Sequence, residues 1–296
     1  GVYYMGVPMG VGASLLVVGY LGPAIGWRNC FYLLGCVGLL LAVVMWFIRE
    51  TPRRHLIKES VTTPPVPQLS FKQTMTELAR ALRASPALVL TIMGGVAFHF
   101  ILGAATFDQL WYVNERGFER AEIAQITGWI GICAGMAGNL FGGLGGDWFL
   151  RKTGIGRPMF LFWIMLILAP INVAYRLVEP DSIWFWVGVA VGFFQLGCFY
   201  GPTFSTVQEL VPPQIRATVV ALYILLLNMA GVAIGVSAAG IYVDHLIVQG
   251  DTEPYTTALL YFTMISFLAI PLFYAAGRRF DVDRAKLHRQ LNADPD

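Results

Sequence analysis

The strongest constraint in this sequence is a series of eight long apolar runs. They lie near residues 2–22, 28–48, 87–111, 123–146, 158–177, 183–208, 217–243 and 257–277. About 20 apolar residues carry a helix across a bilayer. Lipid offers no partner for a free backbone N–H or C=O, so helices are the default spanning element. The runs are continuously apolar and lack the alternation of barrel strands. Charged residues make up 13% of the 296. A soluble domain carries about 25%, so this chain cannot coat a large water-exposed surface. A soluble enzyme, a disordered chain and a nucleic-acid binder with a basic patch are excluded. The fold class expected is an all-α polytopic membrane protein with eight transmembrane helices.

Basic residues orient the spans. One set of loops carries Arg49, Arg53, Arg54, Lys58, Lys72, Arg80 and Arg83, then Arg151, Lys152, Arg157 and Arg216, then Arg278, Arg279, Arg284, Lys286 and Arg289. Only Arg28, Arg116, Arg120 and Arg176 fall on the other side. The positive-inside rule makes the first set cytoplasmic and places the C-terminus there. Trp27, Trp111, Trp184 and Trp186 then sit near the outer boundary, and Trp46 and Trp148 near the inner one, as an interfacial belt.

Residues 49–86 form a long basic loop broken by Pro64, Pro65 and Pro67. Within it, residues 70–84 place Phe71, Met75, Leu78, Ala79 and Leu82 on one side, the pattern of a short helix on a membrane surface. This loop divides the chain into 1–48, a pair of helices; 87–277, six helices in one bundle; and a cytoplasmic tail, 278–296. The first span begins at residue 1 with no basic flank and no Met, so the chain is expected to be a piece lacking an N-terminal part. Cys30, Cys36, Cys133 and Cys198 lie inside apolar runs without metal or disulfide spacing and read as small buried side chains.

Glycines recur at helical spacing. The fourth span carries Gly128, Gly131, Gly135, Gly138, Gly142 and Gly146 along one face. The seventh carries Gly231, Gly235 and Ala239, and the sixth Gly188 and Gly192 with a second pair at Gly197 and Gly201. Small residues let helices in lipid approach closely, and such smooth faces also permit sliding. Gly143-x-x-x-Asp147 ends the fourth span and Gly240-x-x-x-Asp244 ends the seventh, on opposite sides of the membrane. Matched positions in two oppositely directed halves are the mark of a three-plus-three inverted repeat.

With these residues in view, the chain resembles the major facilitator superfamily over its whole length. Gly143-Leu-Gly-Gly-Asp147, with Arg151, Lys152, Gly154 and Arg157, is similar to the family's loop motif between helices eight and nine, departing at Trp148. Gly22-Pro23-x-x-Gly26-Trp27-Arg28 is similar to the Gly-Pro motif closing helix five. Residues Glu209 to Thr218 look like the loop entering helix eleven, and Asn228-x-x-Gly231-x-x-x-Gly235 is similar to the pattern of the spinster-like subgroup. The resemblance implies helices five to twelve of a twelve-helix transporter. It also implies a cytoplasmic charge network at Asp147, Arg151, Glu209 and Arg216 that closes that side in one state.

Ionisable and amide groups inside the spans are the candidate solute or proton path. His99 is mid-span, with Gly95, Gly103 and Thr106 on its face, which suggests a cavity wall or a packed imidazole. Asp108, nine residues on, points away from it and can pair with Arg28 or Arg176 or meet a solute. Gln195 and Asn228 lie mid-span on later helices and suit either a solute or interhelical bonding; Tyr200 and Tyr223 are weaker candidates. The function expected is rocker-switch transport of a small organic solute, with proton coupling, an uncoupled lipid-like carrier and a non-transporting scaffold as the open alternatives. No enzyme motif such as H-E-x-x-H or G-x-S-x-G occurs. No cofactor, metal or nucleic-acid partner is expected. Protons and membrane lipids are expected partners, and the full-length protein is expected to be a monomer in an inner or plasma membrane.

Overall fold

The computed structural model describes residues 2–48 and 70–293. Among them there is no strand. Helix α1 spans Gly6–Ile25, α2 Trp27–Phe47, α3 Phe71–Ala84 and α4 Pro86–Ala104. A tight turn, Ala105–Phe107, leads into α5, Asp108–Asn114. Then come α6, Arg120–Thr153; α7, Arg157–Ala174; α8, Ile183–Glu209; and α9, Arg216–Leu226. A π-helical stretch, Leu227–Ala233, joins α9 to α10, Ile234–Gln249, followed by α11, Pro254–Ser266, and α12, Ala269–Ala293. Pro64, Pro65, Pro67 and the rest of 49–69 lie outside the described residues.

All eight expected spans are helical. Seven are long and apolar enough to cross a membrane by length and composition. The eighth, α6, is 34 residues long, and its glycines dilute its hydropathy. Glycine is a poor helix former in water; here its value lies in contact. A side chain at Gly138 would run into the Phe194 carbonyl and one at Gly142 into the Cys198 backbone, both on α8. A side chain at Gly128 would meet Leu16 and the Gly12 carbonyl, and one at Gly135 would meet Pro8, all on α1. The stripe expected on one face therefore serves two partners, with α1 and α8 lying side by side against it.

The core forms two aromatic-rich clusters. Near the Arg-rich end, Phe98, Phe199, Phe204, Tyr223, Phe273 and Phe280 interlock between α4, α8, α9 and α12. At the opposite end Trp111, Tyr112, Tyr175, Phe185 and Phe262 do the same. Helix α2 packs chiefly on α1, and its lipid-length apolar surface stays bare, with Trp46 88% exposed.

One expectation is corrected here. Trp111 does not belong to the interfacial belt: it is fully buried, and its Nε1 donates to Thr256 Oγ1 at 2.7 Å. Residues 278–293 continue α12 as helix. Phe280 buries its ring on Gly156, and Asp283 Oδ2 accepts from Ser85 Oγ at 3.0 Å and Ala87 N at 2.8 Å. The last helix thereby caps the first turn of α4, where unpaired N–H groups need an acceptor. The amphipathic stretch is α3, closed by a capping box at Ser70 and Gln73. Leu78 is buried and Leu82 half-buried, while Phe71 and Ala79 stay exposed.

Candidate functional site

The candidate residues fall into three places. The first is a cavity of about 200 Å³ between α1 and the helices after the loop. Tyr4 and Val7 line it from the start of the chain, His99 and Leu102 from α4, Tyr200 and Phe204 from α8, and Asn228 and Val232 from the π-helical stretch. His99 Nδ1 donates to the Gly95 carbonyl at 2.9 Å. In the neutral ring this leaves Nε2 as an acceptor. Asn228 Nδ2 bonds Ile224 O at 2.9 Å within its own helix. The π-helical widening around it is a form that recurs at functional positions.

The small-residue face beside His99 packs rather than lining a cavity. Gly95 lies against the Tyr223 ring, and Gly103 against the backbone of Val232, Gly235 and Val236. Gly231 in turn sits on the His99 Cβ. Tyr223 is fully buried in the core.

The second place is a cavity of about 140 Å³ between α4, α5, α7, α8 and α11. Asp108, Asn172, Arg176 and Gln195 line it, with Tyr112, Tyr175, Thr263 and Ser266. Asp108 Oδ1 pairs with Arg176 Nη1 at 3.1 Å, and Arg28 is not its partner. Asn172 Nδ2 donates to Gln195 Oε1 at 2.5 Å. The turn at Ala105–Phe107 breaks α4 and sends Asp108 into this cavity, away from His99. Leu102 lines both cavities and is their shared wall. Arg176 Nε is buried with no partner among the described residues, a group that ordered water in the cavity can satisfy. The guanidiniums of Arg116 and Arg176 both sit over the Trp111 ring, 5.2 and 5.0 Å from its centre.

The third place is the Arg-rich end. Gly154 closes α6 in the left-handed region at φ 72°, a conformation that suits glycine. The turn delivers Arg157 beside the end of α6. Arg157 Nε donates to Asp147 Oδ1 at 2.8 Å and Nη1 to Glu209 Oε1 at 2.7 Å. One guanidinium thus clasps α6, α7 and α8. Arg151 and Arg216, expected in this network, are exposed and have no ion pair among the described residues. The expectation missed Arg157 as the hub, although the residue stood in the quoted loop motif. Asp244, the matched acid of the other half, is exposed and has no ion pair among the described residues. The sequence repeat is therefore not a repeat of this contact.

The sequence profile of the Major Facilitator Superfamily matches residues 1–236. The chain belongs to the Major Facilitator Superfamily. It is an integral, multi-pass membrane protein of that family. It is 26% identical to an MFS-type efflux pump of Mycolicibacterium smegmatis over 246 residues, 81% of this chain and 53% of that protein. It is 26% identical to a hexuronate transporter of Bacillus subtilis over 256 residues, 83% of this chain and 58% of that protein. The chain thus spans somewhat more than half the length of these relatives. Its fold matches a bacterial homologue of the human lysosomal transporter Spinster, in an inward-facing and unoccupied conformation. The TM-score is 0.70 and the identity 18%, over 96% of this chain and 71% of that one.

Proposed function

We propose that the protein is a secondary transporter that moves a small organic solute by alternating access. In this reading residues 1–48 belong to one bundle and 87–277 to the other, joined by 49–86. The observation that carries it is the contrast between two kinds of interface. Apart from the local Arg80–Glu77 contact, every described ion pair lies among residues 108–253, within the second unit. The seam between α1 and α6 has none among the described residues. It is built on Gly12, Gly19, Gly128 and Gly135, with Gln125 Nε2 donating to Gly19 O at 2.9 Å and Trp129 Nε1 to the Tyr20 hydroxyl at 3.4 Å. An uncharged seam of small residues costs little to shear. Rigid units rocking about a central site are the way such repeats work.

The His99 cavity beside that seam is the solute site, with Asn228 and Tyr200. The Asp108–Arg176 pair is the proton-responsive element, since protonating Asp108 removes the charge that holds Arg176. The Arg-rich end, with the Arg157 clasp and the C-terminus, is cytoplasmic by the positive-inside rule. The Asn228-x-x-Gly231-x-x-x-Gly235 pattern supports a spinster-like placement within the family.

The test is flux. The protein in liposomes under an imposed pH gradient should take up a solute against its gradient, and a His99→Ala, Asp108→Asn double variant should lose the pH dependence. Uptake with the same pH dependence in the double variant removes the proton role from both residues.

A further inference from the structure

We infer that the His99 cavity selects a planar aromatic solute without an anionic group; this rests on reading that cavity as the solute site. The cavity wall is an array of rings. Tyr4 stacks on Phe204 with centroids 4.9 Å apart and planes 25° off parallel. Tyr4 and Tyr200 are 6.0 Å apart at 14°, and Tyr200 and Phe204 6.3 Å apart at 24°. Three rings from α8 and the start of the chain thus share one orientation. The His99 ring stands across Tyr200 at 78°, with centroids 6.2 Å apart. A flat guest can lie along the parallel faces with its edge toward the imidazole. Aromatic pairs gain beyond the area they bury when offset-stacked.

Charge points the same way. No Lys, Arg, Asp or Glu lines this cavity among the described residues. Its polar groups are the His99 ring, the Asn228 amide and the two tyrosines. A carboxylate in such surroundings would be desolvated without a cation to pair with. The basic residue nearest to such a role, Arg176, lies in the other cavity and is already paired with Asp108. Ring faces are negative and tolerate or attract a cation. With His99 buried and its Nδ1 bound to Gly95 O, the ring faces rather than hydrogen bonds hold the guest.

The experiment uses two probes on the full purified protein. Ethidium, planar and carrying ring amines, is followed by fluorescence anisotropy; glucuronate, a sugar acid, is followed as radiolabelled uptake in liposomes. Ethidium should bind the wild type. Its affinity should fall about tenfold in Tyr200→Leu, which keeps bulk and loses the ring, and stay within about twofold in Tyr200→Phe. Absence of ethidium binding, or equal binding in Tyr200→Leu and wild type, overturns the inference. Uptake of glucuronate without ethidium binding overturns it while leaving the transport reading standing. Ring-dependent ethidium binding without flux of either probe upholds the site and counts against transport.

Discussion

Arg176 Nη1 lies 3.1 Å from Asp108 Oδ1, and this contact ties the kink after α4 to the end of α7. Their side chains are only 4% and 23% exposed. In so dry a place, removing one partner costs more than removing both, because the remaining charge has lost its counter-ion. Arg176→Ala should therefore destabilise the protein by about 3 kcal/mol. The Asp108→Asn, Arg176→Gln pair should recover part of that loss. Thermal unfolding in detergent checks it; equal melting of the single and double variants counts against the pairing.

The clasp at the Arg-rich end gives a second expectation. Arg157 holds both Asp147 and Glu209, whereas Arg151 holds neither. Ser205 lines the pocket beside this clasp. In an otherwise cysteine-free protein carrying Ser205→Cys, maleimide labelling should speed up several-fold in Arg157→Ala and be unchanged in Arg151→Ala. Labelling that rises equally in both variants removes the distinction between the two arginines.

Two glycines of α6 should behave differently when changed to alanine. At Gly138 the new methyl meets the Phe194 backbone carbonyl, which cannot move without shifting α8. The expected cost is about 1–3 kcal/mol of stability. At Gly128 it meets the end of Leu16, 2.8 Å away, and the Gly12 carbonyl at 3.0 Å. That change should cost less stability than Gly138→Ala, since Leu16 can yield part of the way, and should slow transport, because it roughens the seam with α1. Melting and flux measured on both variants separate the two roles.

Asp283 supplies a fourth. It accepts from Ser85 Oγ and Ala87 N, across nearly two hundred residues of sequence. Asp283→Ala should cost about 1 kcal/mol, the usual worth of a helix cap. Asp283→Asn, which keeps an acceptor, should cost less. Equal loss in both would show that the charge and not the cap matters.

The spans were legible in the sequence because each is a long apolar run, and α3 because its apolar residues recur at helical spacing. Partners were not legible. Trp111 stands at a span end, where an interfacial tryptophan and a buried one look alike; only the arrival of Thr256 from α11 tells them apart. The glycine stripe showed a smooth face, but its division between α1 and α8 depends on which helices arrive there. Helical spacing places Asp108 and His99 on different faces of one unbroken helix, but the helix is broken between them. Their separation into two cavities needed the turn at Ala105–Phe107, which no proline or glycine pattern announced. Arg157 was overlooked as a hub because ion pairing follows from the left-handed turn at Gly154 and not from the motif itself.

In the proposed mechanism the pair α1–α2 rocks against the helices after the loop along the α1–α6 seam. Spin labels at Trp46→Cys and Trp148→Cys span one end, and labels at Trp27→Cys and Trp184→Cys the other; all four side chains are exposed. Their distances, measured by double electron–electron resonance on the cysteine-free protein in alkaline and in acidic buffer, should change in opposite directions, one end opening as the other closes. Two distances that move together, or neither moving, would contradict the account.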